Sequence, residues 1–399
     1  MMSILEAGNP KNIEQLMRQI RVDSYGIKIM LPKAITHLIR LNPISNIAAN
    51  ILKQEMLSLG ADAAIARGAL TGKAKKSGCL IMGNMAQFNR LREKLKKQPF
   101  GLSSLAVELL QTLANYQKDK FNLNLGRSKL SLGARSRIMA VVNLTPDSFS
   151  GDGLYPKFRK EYIIKYVENM VRDGADIIDI GAESSRPGAS KISLEEELSR
   201  AIPLIKILAK KIKIPISIDT YKPEVARQAL DNGAVMVNDI TGLSDAKMAK
   251  LVAQYKAAVV IMHMKGKPKN MQLNPQYQDV AAEIIDFLDK AIKKAVTLGV
   301  EEGKIIIDPG IGFGKALEHN LEILKRLAEF KVLGRPILIG TSRKSFIGKI
   351  LDLKPQERIF GTVSSCVLAA GKGAHILRVH DVREVRQALD IFDSINNRG

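Results

Sequence analysis

From residue 137 onward the chain repeats one pattern. Short apolar or β-branched runs occupy 138–142, 176–180, 214–218, 234–237, 258–262, 304–307, 336–340 and 375–379, and an amphipathic segment follows each. Unbroken apolar runs of this length are expected of strands buried on both faces, and the intervening 3.6-residue periodicity marks helices. Eight such units predict an α/β chain with a parallel sheet, because every return to a parallel strand needs a crossover. Their number, in about 260 residues, matches a (β/α)8 TIM barrel over 137–399. An open doubly wound sheet has the same local pattern, so the placement of polar residues must separate the two.

Residues 1–117 read as a smaller N-terminal α/β domain. Ile27 to Leu31 and Cys79 to Met82 are expected as short strands, and Ser45 can cap a helix running to Leu59. A helix over 85–97 turns Phe88, Leu91 and Leu95 inward, and a third runs from about Ser104 to Tyr116. Residues 118–136 are polar, basic and glycine-containing, and are expected to form a linker.

Composition alters this picture only through charge. With 46% hydrophobic and 25% charged residues the chain is neither disordered nor fibrous, but 61 Lys and Arg against 40 Asp and Glu leave a net +21. Residues 1–135 hold 21 Lys and Arg and 8 Asp and Glu, so +13 lies there and +8 in the remainder. Such a segment suits a polyanion, yet few aromatics interleave with it, Phe88 and Phe100 being the nearest. A solvated face is therefore the expectation, and nucleic acid is not expected as a partner. Two cysteines, Cys79 and Cys366, build no disulfide framework and have no metal-type spacing, which points to a reducing cytoplasm. The first residues lack a basic-then-apolar signal, and apolar runs such as 257–262 fall far short of a membrane span, so no membrane partner is expected.

The chemistry gathers just past each strand. In order stand Asn143 with LTPDSFSGDG, GAESSRPG at 181–188, Asp219, Asn238 with Asp239, and His263 with Met264. DPGIGFGK at 308–315, GTSRKS at 340–345 and Arg378 with His380 complete the series. Eight polar clusters at the same strand ends converge on one mouth in a barrel, which favours that architecture. Asp219, Asn238 and Asp308 suit a flat heterocycle carrying N–H donors and a carbonyl. Arg186, Arg343, Lys344, Arg378 and His380 suit an anion, best a phosphate, and Asn143 offers oxygen to a magnesium ion shared with phosphates. GIGFGK lacks dinucleotide-loop spacing, and GTSRKSFIGK is not a Walker loop. Cys366, inside the apolar VSSCVLAAG, reads as core, and His37, His319 and His375 read as structural or solvated.

Taken in order, NLTPDSFSGDG, GAESSRPGA, SIDTYKPEVA, VNDITG, MHMKGKPKNMQ, DPGIGFGK, GTSRKSFIG and RVHDV make the region from about 137 to 396 closely resemble the dihydropteroate synthases of folate biosynthesis. The resemblance implies a barrel transferase that joins 6-hydroxymethyl-7,8-dihydropterin diphosphate to p-aminobenzoate, with Mg2+ as cofactor and a homodimer as the assembly. It implies Asp219, Asn238, Asp308, Lys344 and Met264 as pterin-binding residues, with Asp219, Lys344 and Asp308 catalytic. Asn143, Ser185, Arg186, Arg378 and His380 are implied for diphosphate, Asn143 also for the metal, and Phe149, Pro187, Phe313 and Ser342 for p-aminobenzoate. Two departures stand out: Ser150-Gly151-Asp152-Gly153 displaces the first-loop acid by one place, and Ser185 replaces a frequent threonine. The N-terminal 130 or so residues lie outside the catalytic match and resemble the extension of a subset of the family. A pterin-binding methyltransferase of the methyltetrahydrofolate type is the alternative, and a basic binding module the alternative for the first domain alone.

Overall fold

The computed structural model describes all residues except 1, 4, 6–9, 74, 127, 145–159, 185–190, 267–270 and 397–399, and leaves out the side chain at 42. The chain divides into two compact units, Met1–Ala114 and Asn115–Gly399.

In the first unit, strands β1 (Thr36–Ser45), β2 (Asp62–Ile65) and β3 (Lys76–Asn84) form an antiparallel sheet in the order β1-β3-β2. Helices Asn46–Ser58, Met85–Leu95 and Leu102–Gln117 bury Leu52, Met56, Phe88, Leu91, Leu95 and Leu109 together with Ile81 of β3. Ser45 caps the first of these helices, its Oγ accepting from the Ala48 N–H at 3.2 Å. Ile27 to Leu31, expected as a strand, is instead helical. The Asp23 carboxylate accepts the Tyr25 and Gly26 N–H groups and starts the helix Ser24–Met30.

The second unit opens where a linker was expected. Residues 118–136 carry a hairpin of β4 (Phe121–Leu125) and β5 (Ser128–Leu132), which turns at Gly126 with φ 71°. Their sequences, FNLNL and SKLSL, alternate strictly, so Leu123, Leu125, Leu130 and Leu132 lie on one buried face.

Eight parallel strands follow: β6 (Arg137–Asn143), β7 (Ile177–Gly181), β8 (Ile216–Asp219), β9 (Met236–Asp239), β10 (Ala258–Met262), β11 (Ile305–Asp308), β12 (Leu338–Ile339) and β13 (Ile376–Val379). They are hydrogen-bonded in the order β11-β10-β9-β8-β7-β6-β13-β12, and a parallel bridge from Ile307 to Ile337 closes the ring. This is the (β/α)8 barrel. Outward residues such as Ile178, Ile180, Ile218 and Val259 pack under the helices. Inward residues form two layers of opposite character. At the strand starts Met139, Ile177, Met236, Val260, Ile306 and Ile376 pack with the leucines of the hairpin, which plugs that end. One layer higher the interior turns polar, with Asp179, Ser217, Asn238, Asp308 and Arg378, and there the site begins.

Candidate active site

The floor of the mouth is a charge network spanning four strands. Arg378 of β13 donates from Nε to the Asp179 carboxylate of β7 at 2.7 Å and from Nη2 to Asp219 of β8 at 2.7 Å. Asn238 of β9 donates from Nδ2 to the same Asp179 oxygen at 3.1 Å. Burial raises the Asp219 carboxyl to about 7 against the pull of Arg378, with the neighbouring Asp179 and Glu197 charges pushing the same way as burial. Asp308, at the end of β11, is also raised by burial, although its Oδ1 accepts the Gly310 N–H at 2.7 Å.

The loop after β11 is built backbone against backbone. A Cβ on Gly310 would stand 2.0 Å from the His263 carbonyl oxygen, and one on Gly314 would stand 2.2 Å from that of Lys265; both glycines have positive φ. The glycines of GIGFGK therefore serve close packing of two loops. Asn320 accepts the Gly312 N–H at 2.7 Å, and buried Lys315 ties the loops together. Its Nζ meets His263 Nδ1 at 3.0 Å, the His263 carbonyl at 3.3 Å and the Phe313 carbonyl at 2.9 Å. Burial draws Lys315 down to about 7 and His263 down to about 2, so the imidazole beside the lysine is neutral. Above this loop the Lys344 ammonium lies 4.3 Å from the centre of the Phe313 ring. Met264, half-buried just past β10, belongs to the neighbouring rim.

His380 and Ser342 form a pair. The Ser342 hydroxyl accepts the His380 backbone N–H at 3.2 Å and lies 3.0 Å from His380 Nδ1. Burial first, then Arg378, lowers His380 to about 3, so the ring is neutral; in the tautomer whose Nδ1 accepts from the Ser342 hydroxyl, the ring N–H is at Nε2. Ser342, expected beside p-aminobenzoate, is buried against this histidine. Arg343 is held by Asp381, with Nε donating to Oδ2 at 3.0 Å. Asn143, at the end of β6, and Asp219 face each other across Gly181, where a Cβ would meet Asp219 Cβ at 3.4 Å and Asn143 Oδ1 at 3.6 Å. No group of three His, Cys, Asp or Glu among the described residues could hold a metal ion. A single amide oxygen beside a cationic pocket fits a magnesium ion that takes most of its shell from phosphate and water.

Residues 139–380, from the first barrel strand to His380, match the family described as pterin binding enzyme. The chain belongs to that family. Among pterin-binding enzymes, the dihydropteroate synthase of Synechocystis is 46% identical over 275 residues, covering 68% of this chain and 94% of its own. The solved dihydropteroate synthase of Xanthomonas albilineans with 4-aminobenzoic acid superposes with a TM-score of 0.65 at 39% identity, covering 69% of this chain and 98% of its own. A longer protein of Halobacterium salinarum, whose name pairs folylpolyglutamate synthase with dihydropteroate synthase, is 37% identical over 350 residues. It matches 87% of this chain with 41% of its own length, a share larger than residues 115–399 supply, so that match enters the first unit.

Of the residues expected for the pterin, Asp219, Asn238, Asp308, Lys344 and Met264, for diphosphate or metal, Asn143, Arg378 and His380, and for p-aminobenzoate, Phe313 and Ser342, all lie at the C-terminal mouth of the barrel. Phe149, Ser185, Arg186 and Pro187 lie outside the described residues. Asp179 is not among the residues that the strand ends mark, since this carboxylate sits inside a strand; an aspartate within the apolar run IIDIG is its sequence signal. Nor do the strand ends mark Lys222, which binds Glu183 and Glu197 at 2.7 Å each and the Ile192 carbonyl at 2.9 Å. One ammonium thus holds residues on both sides of 185–190.

Proposed function

We propose that this chain is a dihydropteroate synthase, condensing (7,8-dihydropterin-6-yl)methyl diphosphate with p-aminobenzoate to give 7,8-dihydropteroate and diphosphate in folate biosynthesis. The observation that carries the reading is the polar layer itself: Asp219, Asn238 and Asp308 offer acceptors around one floor, with Arg378, Lys344 and His380 beside them. Acceptors of that kind read the N–H edge of a pterin, and the cationic groups face its leaving diphosphate.

In this reading the C–O bond to diphosphate breaks and its electron pair leaves with the diphosphate. The methylene carbon is left as part of a cation delocalised into the pterin ring. Asp219, as the carboxylate, stabilises that positive charge. The neutral aniline nitrogen then supplies its lone pair to the new C–N bond, and its proton passes to the released diphosphate. Neutral His380 donates from Nε2 to the leaving group and Arg378 supplies charge, while Phe313 walls the aminobenzoate ring; Ser185, Arg186, Pro187 and Phe149 remain assigned to their loops by resemblance. Asn143 is the residue to hold Mg2+, which supplies charge neutralisation on the diphosphate when bound.

No helix among the described residues is long and apolar enough to cross a membrane, and we place the enzyme in the cytoplasm. We further assign it as a homodimer, supported by an apolar face on helices Ile359–Gly371 and Val382–Ile395. The test is release of diphosphate that requires both substrates. Methyl transfer without diphosphate release would instead favour the methyltransferase reading.

A further inference from the structure

We propose that Asp179 is a positioning residue of the pterin site, fixing which atom Asn238 turns toward the heterocycle and how Arg378 is held beside it. The inference rests on the pterin-binding reading above.

Asp179 is fully buried in the middle of β7, between Ile178 and Ile180, which face the opposite side of the strand. A carboxylate there is tolerated only when its charge is paired and its oxygens are bonded. Arg378 supplies the pairing through Nε at 2.7 Å, and Asn238 adds a bond from Nδ2 at 3.1 Å. A carboxylate only accepts hydrogen bonds, so Asn238 gives one of its two amide N–H groups to Asp179 and turns Oδ1 away from it. Asn238 is thereby committed as an acceptor that reads an N–H of the heterocycle. The same carboxylate holds Nε of Arg378, and Nη2 is taken by Asp219, so Nη1 is the nitrogen without a partner among the described residues.

Both donors converge on one oxygen, Asp179 Oδ2, while Oδ1 is buried beside the register neighbour Ser217 and has no hydrogen-bond partner among the described residues. The side-chain bonds that Asp179 makes are thus to two residues that line the site.

The experiment compares Asp179→Leu, Asp179→Asn and the unaltered chain in steady-state diphosphate release, with thermal unfolding of each. Asp179→Leu leaves Asn238 Nδ2 and Arg378 Nε without an acceptor, whereas Asp179→Asn keeps an amide oxygen where both donate. In Asp179→Leu we expect the KM for the pterin diphosphate to rise about 10- to 100-fold while that for p-aminobenzoate stays within about twofold, and Asp179→Asn should recover most of that loss. An unchanged pterin KM in Asp179→Leu, an equal rise in both KM values with a lowered Tm, or a pterin KM in Asp179→Asn as high as in Asp179→Leu would overturn the assignment. If Asp179→Leu does not fold, Asp179→Ser, too short to hold both donors, takes its place under the same criteria. Absence of the reaction in the unaltered chain would bring down the functional reading itself.

Discussion

Arg378 and Asp219 meet at 2.7 Å across the floor of the barrel, yet burial holds the Asp219 carboxyl at about 7 despite that contact. The proposed chemistry needs the anion, and a raised pKa means that the anion is lost as pH falls through this value. kcat/KM for diphosphate release should therefore rise with pH through about 7. Asp219→Asn should lower kcat by about 100-fold or more and remove that dependence. An acid limb retained in the variant would assign the titration to another group.

Lys344 and Phe313 divide two functions at one contact, the ammonium 4.3 Å above the ring centre. Lys344→Met keeps the aliphatic stem over the loop and removes the charge, so turnover should fall about 100-fold with the fold intact by circular dichroism. Phe313→Ala should raise the KM for p-aminobenzoate about tenfold and leave that for the pterin diphosphate nearly unchanged. A rise confined to the pterin substrate would remove Phe313 from the aminobenzoate wall.

Gly310 allows no side chain. Its φ of 73° and the 2.0 Å approach to the His263 carbonyl mean that Gly310→Ala must push apart the loops that carry His263 and Lys265 on one side and Phe313 and Lys315 on the other. The positive φ alone costs about 1 to 3 kcal/mol, and activity should drop with Tm. A variant with normal Tm and rate would show that the loops separate freely.

The barrel was legible because strands buried on both faces read as unbroken apolar runs, and the polar residues at their ends mark the mouth. The hairpin was misread for the opposite reason. Its apolar positions are every second residue, so Leu123, Leu125, Leu130 and Leu132 are diluted by Asn, Ser and Lys until the segment resembles a linker. Ile27 to Leu31 is short and apolar enough to be expected as a strand, but the Asp23 cap decides in favour of a helix. Asp179 was invisible to a reading of strand ends, since its role depends on partners 59 and 199 residues away.

The hairpin leucines should matter to stability rather than to catalysis. Leu123 and Leu130 pair across the hairpin and pack with the lower barrel layer, so Leu123→Ala and Leu130→Ala should each cost about 2 to 5 kcal/mol. Chemical denaturation measures this, and KM for both substrates should be unaltered in the folded fraction. A loss below about 1 kcal/mol in both would make the segment the linker its composition suggests.

Phe360 is 84% exposed, and Leu368 follows it two turns along the same face of the helix Ile359–Gly371. The helix Val382–Ile395 adds Ile391 at 66% and Ile395 at 75%, and the two helices pack together, Phe392 lying 3.5 Å from a Cβ position on Gly371. An apolar face on adjacent helices is the kind of surface a second copy of the chain covers by two-fold pairing. Sedimentation equilibrium should give twice the 43.9 kDa chain mass. Phe360→Asp places a charge on the face and should give the single-chain mass. A single-chain mass for the unaltered protein at micromolar concentration would exclude the dimer, and a dimer that survives Phe360→Asp would move the interface to another face.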